Sequence, residues 1–432
     1  MLVKRKEKNR ITIILLVAFS IVTALGSFNP FAAHNGIDHA DYGVSSPVSL
    51  FVQGLFICWI LKENVDDFKY KRFCMPLLCF FGLLVISSFI NMPYGDFENT
   101  AIYLIKIFLC IALYASLPIV LCRNENAITI TMLFYALTMA LISILFLVGA
   151  LDSLSYWSKG RAYILNENPN TTSSRLSLAF LFIIYLATWN YAKWGKWCWL
   201  LLSLDLPIMI TIMATGSRGS FIITIISLVI YMFCFPSKNI IKKYTIIIAS
   251  AISVSIAIII IVQDHTDFSL FERLSDSIQS GGNRERELLI DETKSIISDY
   301  PIFGSGCSGY KHEMVMRFGE PRIVHNIFWH VFAITGAIGL SFFIWFFISL
   351  FLKSFKIRHR NPMAFTLICF TLLLGYKTGG ALSYIVIWYA MALTITLCYC
   401  QNHKYAHNHN IKPQSESGGR SQLECSGSRC SS

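Results

Sequence analysis

Three clusters of polar residues interrupt this largely apolar chain, and their residue types suit chemistry on an anionic substrate. In the first, Thr215-Gly-Ser-Arg-Gly-Ser220, glycines and serines flank Arg218 between two apolar segments. A guanidinium beside free backbone N–H groups and hydroxyls provides the donors that bind an anion such as phosphate. The simpler alternative is an arginine that extends its charge to lipid headgroups at a membrane surface.

The second cluster lies in the longest hydrophilic segment, where the run from Gly281 to Arg286 precedes a pattern that predicts a helix over residues 285–299. Pro301 ends this helix, because proline cannot continue it. Arg284 and Arg286 are two residues apart and point to different sides of a helix. We therefore expect only one of them to serve a site; the alternative is a solvated, charged helix start.

The third cluster, Val324-His325-Asn326, directly precedes the apolar segment 327–352. His325 would lie at a helix N-terminus, where the helix dipole favours the neutral imidazole that can act as a base. A structural histidine is the alternative. His330 is ~140° further around the same helix, so the two histidines are not expected to share a metal ion.

Two other features could contact a ligand or stabilise the fold. Arg161 and the turn signal Asn168-Pro-Asn170 lie in one hydrophilic segment, where they could form a turn or contact a ligand. Asp205 lies within an apolar segment, where an acid is either functional or paired with a base such as Lys106. The sequence contains no H-E-x-x-H, Walker, D-x-D or C-x-x-C motif.

The run Phe303-Gly-Ser-Gly-Cys-Ser-Gly309 formally matches the dinucleotide pattern G-x-G-x-x-G. That site requires a preceding strand, whereas a helix ending near Pro301 comes first here. We therefore expect these glycines to form a loop that packs against the membrane surface. Ser217 and Ser220 have no identifiable His and Asp partners, which argues against a serine hydrolase.

The elements that must position these clusters are membrane helices. Of the 432 residues, 55% are hydrophobic and 14% are charged, whereas soluble proteins contain about 25% charged residues. This composition argues against a water-soluble enzyme, and apolar runs suited to ~20-residue spans predict an all-α integral membrane protein with about 12 transmembrane helices. These runs lie near residues 11–29, 48–61, 74–91, 100–121, 128–150, 175–192, 197–214, 219–235, 245–263, 326–352, 363–380 and 381–399.

The distribution of Lys and Arg predicts the orientation of these helices. Basic residues are concentrated in the N-terminus and in alternate short loops, which places both termini in the cytoplasm. The few basic residues expected in the outer short loops include Arg175 and Lys377. One polytopic membrane domain is expected over residues 1–399, with a large periplasmic loop at 264–325. The polar segment 400–432 is predicted to be a disordered cytoplasmic tail.

The order of these motifs resembles that of the bacterial O-antigen ligase and O-antigen polymerase family, membrane glycosyltransferases that use undecaprenyl-diphosphate-linked glycans. The resemblance covers about residues 160–345. It comprises N-P-N at Asn168–Asn170, T-G-S-R-G-S at Thr215–Ser220, an Arg-led helix running into P-I-F-G-S-G, and H-N-I-F-W-H at His325. The first 150 residues share only the presence of membrane spans.

The resemblance implies roles for particular residues. His325, Arg218 and Arg286 correspond to the catalytic residues, and Arg284 remains an alternative to Arg286. The arginines would bind the donor diphosphate and stabilise it as leaving group, and His325 would position or deprotonate the acceptor hydroxyl. Substrate-binding roles are expected for Arg284, Arg161, Asn170 and Asn326.

The resemblance also implies the reaction partners and the location of the protein. The donor would be an undecaprenyl-diphosphate-linked glycan in the bacterial inner membrane, in contact with membrane lipids. The acceptor would be lipid A–core for a ligase or another lipid-linked repeat unit for a polymerase. No metal, other cofactor or nucleic acid is expected. The alternative from a different class is a multi-span transporter or a flippase of lipid-linked glycan.

Overall fold

The computed structural model describes residues 2–25, 54, 71–122, 125–158, 160–235, 284–377, 382 and 384–410. These residues are almost entirely α-helical, as the composition predicts. The α-helices are α1 (Leu2–Leu25), α2 (Lys71–Ile90), α3 (Phe97–Leu121), α4 (Glu125–Leu147), α5 (Pro169–Trp189), α6 (Tyr191–Trp194), α7 (Trp197–Ser203), α8 (Asp205–Ala214), α9 (Arg218–Cys234), α10 (Arg284–Asp299), α11 (Cys307–Phe318), α12 (Ile327–Lys356), α13 (Pro362–Lys377) and α14 (Ile385–Asn410).

Within the described residues, 6 apolar helical segments are long enough to cross a membrane. They correspond to α2, α3, α4, α5, the pair α7–α8, and α12. Shorter apolar helices lie in α1, α9, α13 and α14. The predicted spans at 48–61 and 245–263 lie outside the described residues.

Helix α5 is the centre of the bundle and is almost wholly buried. It packs against α4, α8 and α9, while α13 packs against α9 and α14. Asn168 caps α5 by accepting a hydrogen bond from Asn170 N at 2.9 Å, and Pro169 occupies the first helical position. A proline is favoured there because the first N–H groups of a helix have no intrahelical partner.

The structure corrects the predicted location of Arg175, which lies inside α5 and not in a loop. Its side chain is 2% exposed and forms an ion pair with Glu167. Arg175 Nη1 also donates to the carbonyl of Ala24 at the end of α1, 3.1 Å away. A charge in this position requires a partner, because an unpaired guanidinium in the interior is costly.

A small antiparallel hairpin interrupts the otherwise helical chain between α4 and α5. Strands β1 (Tyr156–Ser158) and β2 (Arg161–Tyr163) pair so that Ser158 faces Arg161. The aromatic rings of Tyr156 and Tyr163 stack with centroids 4.7 Å apart. The helical pattern of the sequence does not predict this hairpin, which carries Arg161 to the end of the bundle where α5 begins.

Helices α10 and α11 form the described part of the long hydrophilic segment, and residues 264–283 lie outside that part. The predicted helix over 285–299 is confirmed, since α10 extends from Arg284 to Asp299. Gly319 ends α11 with a φ of 81°, as is common at helix C-termini.

The glycine loop after α10 packs against protein, and its expected packing against the membrane surface stays a prediction. Ser305 N and Gly306 N donate to the carbonyls of Ala333 and Ile334 in α12, at 2.8 and 3.0 Å. A Cβ on Gly306 would come within 2.6 Å of Ser88 Cα in α2. Backbone therefore fills the space beside this glycine.

The last helix extends further than the composition predicts. Helix α14 continues to Asn410, past the expected start of the tail at residue 400. Residues 411–432 lie outside the described part of the chain. Of the 13 cysteines in the sequence, those that the structure describes are all free thiols.

Candidate functional site

The polar turn between α8 and α9 lies where the sequence predicts a break between two apolar segments. Helix α8 ends at Ala214 and α9 begins at Arg218. Gly216 makes the turn with a φ of 62°, which a residue with a side chain rarely adopts. The side chain of Ser217 is buried, and that of Arg218 is partly exposed.

Arg161 connects this turn to the start of α5. Its Nε donates to the carbonyl of Thr215 at 3.1 Å, and its Nη2 donates to Asn170 Oδ1 at 3.0 Å. Asn170 Oδ1 also accepts a hydrogen bond from Ser217 Oγ at 2.9 Å. Two segments that are 47 residues apart in the chain are therefore held together through one amide oxygen.

A buried hydroxyl cluster lies beneath these contacts. Ser220 Oγ on α9 accepts from Ser173 Oγ on α5 at 2.8 Å and from Ser217 Oγ at 3.2 Å. Ser174 Oγ lies 3.3 Å from the same oxygen. The serines therefore have hydrogen-bond partners, and their role is to join α5 to α9 and to line the polar interior behind Arg161.

Lys377 is a central residue of this cluster, although the distribution of charge in the sequence predicts it only as a basic residue of an outer loop. Its Nζ donates to Ser217 Oγ at 2.8 Å and to Ser220 Oγ at 3.1 Å. Lys377 is the last residue of α13 and lies outside the six candidate membrane spans. In the sequence, Lys377 is a single lysine at the end of an apolar run. Without knowledge of its neighbours in space, it cannot be distinguished from a lysine that only sets the orientation of the helices.

Three arginines lie close enough to Lys377 to act on it electrostatically. Burial and then the positive charges of Arg286, Arg161 and Arg218 lower the pKa of Lys377 to about 7. An opposite charge would raise that pKa, but each charged group that acts on this lysine in the described structure is a cation. A concentration of positive charge of this kind is suited to an anion that carries several negative charges.

The structure thereby brings Arg286 into the same electrostatic environment as Arg161 and Arg218. Arg286 lies in the first turn of α10, and its side chain is partly exposed. Arg284 is the first residue of α10, and its side chain lies outside the described part of the chain. Arg286 therefore acts on Lys377, and its assignment as the loop arginine of this site stays a prediction.

His325 lies at the start of α12, as the sequence predicts, and its side chain is exposed. The next residue, Asn326, is the N-cap of α12, and its Oδ1 accepts from Phe328 N at 2.9 Å and from Trp329 N at 3.3 Å. Asn326 thus has a structural function that fixes the backbone beside His325. A ligand contact by Asn326 stays a prediction.

Close packing places the His325 end of α12 beside the Lys377 end of α13. A Cβ on Gly375, two residues before Lys377, would lie 2.9 Å from the Cγ2 of Ile327, two residues after His325. Tyr384, just before α14, donates to the carbonyl of Thr171 in α5 at 2.6 Å. The start of α5, α9, α12 and α14 and the end of α13 therefore lie together, and we call this the site end of the bundle.

The predicted pairing of Asp205 with Lys106 or with an arginine is wrong. Both carboxylate oxygens of Asp205 are buried without a hydrogen-bond partner, at the first residue of α8. Among the described residues no group of three or more His, Cys, Asp or Glu is arranged to hold a metal ion.

Comparison with known families agrees with the resemblance noted in the sequence. Residues 202–344 match the family model described as O-antigen ligase. The matched segment contains Arg218, Arg286 and His325, whereas Arg161 and Lys377 lie outside it. No curated protein sequence matches the chain.

Proposed function

We propose that the chain transfers a glycan from an undecaprenyl-diphosphate donor to an acceptor hydroxyl, as expected for the O-antigen ligase/polymerase family, since residues 202–344 match the O-antigen ligase family model. The observation that carries this proposal is that Arg161 and Lys377 are hydrogen-bonded to the same turn, where the charges of Arg161, Arg218 and Arg286 act on the lysine. A lipid-linked diphosphate is an anion with several charges that reaches the protein at the membrane surface. The cluster lies at the ends of membrane-type helices, where such a headgroup would be found.

The arginines bind and activate the donor. Guanidinium groups contact phosphate oxygens through two parallel hydrogen bonds, so they fix the diphosphate in orientation as well as in position. Negative charge increases on the diphosphate as the bond between the sugar C1 and the phosphate oxygen breaks. Positive charge already in place stabilises that transition state without the cost of reorganising water.

His325 acts on the acceptor. The acceptor oxygen attacks the sugar C1, its proton passes to the imidazole of His325, and the undecaprenyl diphosphate departs with the electron pair of the broken bond. The exposed position of His325 supports this role, since an acceptor must reach the base from outside the bundle. The proposal includes no metal ion or other cofactor, because the side chains of the protein supply the charge.

The site end faces the periplasm in this proposal, and the protein is a multi-pass component of the inner membrane with both termini in the cytoplasm. The distribution of Lys and Arg supports this orientation. The acceptor is lipid A–core for a ligase, or a second lipid-linked repeat unit for a polymerase.

Deletion of the gene distinguishes the two activities and the transporter alternative. Extracted lipopolysaccharide is separated on a gel, and lipid-linked intermediates are assigned to a membrane face. Core without O-antigen indicates a ligase, and core with a single repeat indicates a polymerase. Accumulation of donor at the cytoplasmic face indicates a flippase and contradicts the proposal.

Point variants then test the site in the deletion strain. His325→Ala and Arg218→Lys are each expected to abolish the glycan at normal protein level, because the lysine keeps the charge but loses the paired hydrogen bonds. Arg317→Gln is the matched control. This arginine of α11 pairs with Glu313 and Asp299 at the surface, and surface ion pairs contribute little to stability. Normal surface glycan in His325→Ala would contradict the enzymatic proposal.

A further inference from the structure

The side chain of Lys377 is held at a defined position within the site end. Its ammonium donates to Ser217 and Ser220 at 2.8 and 3.1 Å. The aliphatic part of the side chain crosses directly over Gly219, where a Cβ would overlap the lysine Cδ and Cε atoms. The turn at the start of α9 therefore contains a position shaped for this lysine, with a glycine below the stem and hydroxyls at its tip.

The charged groups that act on Lys377 in the described structure are cations. The helices packed against α13 are α9, α12 and α14, and the cations that act on the lysine also come from β2 and α10. The titratable groups at the site end of these elements are Arg218 on α9, His325 before α12, Tyr384 before α14, Arg161 on β2 and Arg286 on α10.

We propose that Lys377 is a fourth anion-binding cation of the site, whose ammonium binds a phosphate oxygen of the donor diphosphate beside Arg161, Arg218 and Arg286. This inference rests on the proposed function, because it requires a diphosphate donor. The hydroxyls of Ser217 and Ser220 hold the lysine within the cluster. A phosphate oxygen among the four cations adds an acceptor that carries the opposite charge.

Diphosphate binding is then coupled to a proton. With burial and neighbouring cations acting alone, the pKa of Lys377 is about 7. A diphosphate in contact with the ammonium raises this pKa, since an opposite charge favours the protonated form. Above about pH 7 the lysine therefore gains a proton as the diphosphate binds and loses it when the diphosphate leaves.

The affinity for the diphosphate is expected to depend on pH through Lys377 only above about pH 7. Below about pH 7 the lysine is protonated in both states and adds no pH dependence. Above that pH, binding requires proton uptake, so the affinity falls with rising pH by at most about tenfold per pH unit, until the pKa of the bound state is reached. The arginines contribute no such slope in this range, because they stay protonated.

The test measures the Kd of undecaprenyl diphosphate and of undecaprenyl monophosphate for the purified full-length protein in detergent, as a function of pH. Wild type is expected to bind the diphosphate more tightly and to show the slope above about pH 7. Lys377→Gln is expected to weaken diphosphate binding by roughly 10- to 100-fold near pH 7, because a charge-assisted hydrogen bond is lost. It is also expected to remove the slope.

Two further variants separate the charge of Lys377 from its contribution to folding. Lys377→Arg keeps a permanent cation, so diphosphate binding is expected to persist while the slope disappears. Gly219→Ala keeps the lysine but moves its stem from the present position, and is expected to weaken diphosphate binding. Lys294→Gln is the matched control, since this lysine is exposed on α10 and pairs with Asp291; it should keep both the affinity and the slope.

The outcomes distinguish this inference from the proposed function. If Lys377→Gln binds the diphosphate with the affinity and slope of wild type while Arg218→Ala does not bind it, the role of Lys377 is overturned and the donor site stands. If wild type binds no undecaprenyl diphosphate, both are overturned. If Lys377→Gln does not fold, Lys377→Arg decides: a slope retained in that variant excludes Lys377 as its source.

Discussion

Gly304 and Gly336 meet where the loop after α10 crosses a break in α12. Both have positive φ angles, of 73° and 67°. A Cβ on Gly304 would lie 2.5 Å from Gly336 N, and a Cβ on Gly336 would lie 2.5 Å from Phe303 N. Ala337 N donates to the carbonyl of Pro301 at 2.9 Å across the same contact. This contact joins the helices that carry Arg286 and His325.

Gly336→Ala is expected to destabilise the protein strongly, because neither backbone can move away without breaking the hydrogen bonds between them. Gly319→Ala is the matched control, since Gly319 also has a positive φ, of 81°, but has open space around its Cα. Gly319→Ala should lower the free energy of unfolding only by the backbone strain at this position, about 1–2 kcal/mol. Thermal unfolding in detergent measures both variants, and equal losses of stability would contradict the importance of the contact.

The sequence predicts local features of this architecture well. The break before Arg218 follows from the cluster of small and polar residues between two apolar runs. The helix from Arg284 to Asp299 follows from its apolar periodicity and from the proline after it. The turn before α5 follows from the side chain of Asn168 and the fixed φ of Pro169. Each of these signals is contained within a few neighbouring residues.

Features that depend on distant parts of the chain are not predicted. Lys377 and Ser217 are 160 residues apart, and nothing in either segment indicates that they share a hydrogen bond. The strands of the hairpin that carries Arg161 have 3 residues each, too short for an alternating pattern. The sequence predicts Arg175 in a loop, whereas its place inside α5 depends on an ion pair with Glu167 that forms only on folding.

Replacement of Glu167 by Gln should destabilise the fold. The change leaves the buried Arg175 guanidinium without its counterion, and removal of one partner from a buried ion pair costs about 3–5 kcal/mol. The double variant Glu167→Leu with Arg175→Met removes both charges and should recover most of the loss. Thermal unfolding in detergent is the measurement, and a double variant less stable than Glu167→Gln would contradict this account.

The stability of the ligand-free protein should rise with pH above about pH 7. Lys377 has its pKa lowered from 10.5 to about 7 in the folded protein, so the unfolded chain binds more protons between these values. Under that condition, the free energy of unfolding increases with pH. Lys377→Met removes this contribution, so the difference in thermal midpoint between wild type and variant should change across this range. A constant difference would contradict the low pKa.

Asp205→Asn tests the transporter alternative. If the protein moves lipid-linked glycan by cycling a charge within the bundle, loss of this buried acid should stop the formation of surface glycan. A transferase with its site among the described arginines does not need Asp205, which has no hydrogen-bond partner to lose. We expect the variant to make normal surface glycan on a lipopolysaccharide gel. Loss of the glycan at normal protein level would favour transport.

Asn170→Asp tests whether the positive charge of the cluster, and not only its geometry, is required. The substitution preserves the shape of the side chain and places a carboxylate oxygen where Asn170 Oδ1 lies, 3.0 Å from Arg161 Nη2 and 2.9 Å from Ser217 Oγ. The new ion pair should maintain or raise the thermal midpoint, because cations act at the site end.

The same carboxylate competes with a diphosphate for Arg161, so formation of surface glycan should fall at least about tenfold, as expected for the loss of a charge-assisted contact. A stable Asn170→Asp variant with wild-type activity would show that Arg161 positions the turn at Thr215 and does not bind the donor.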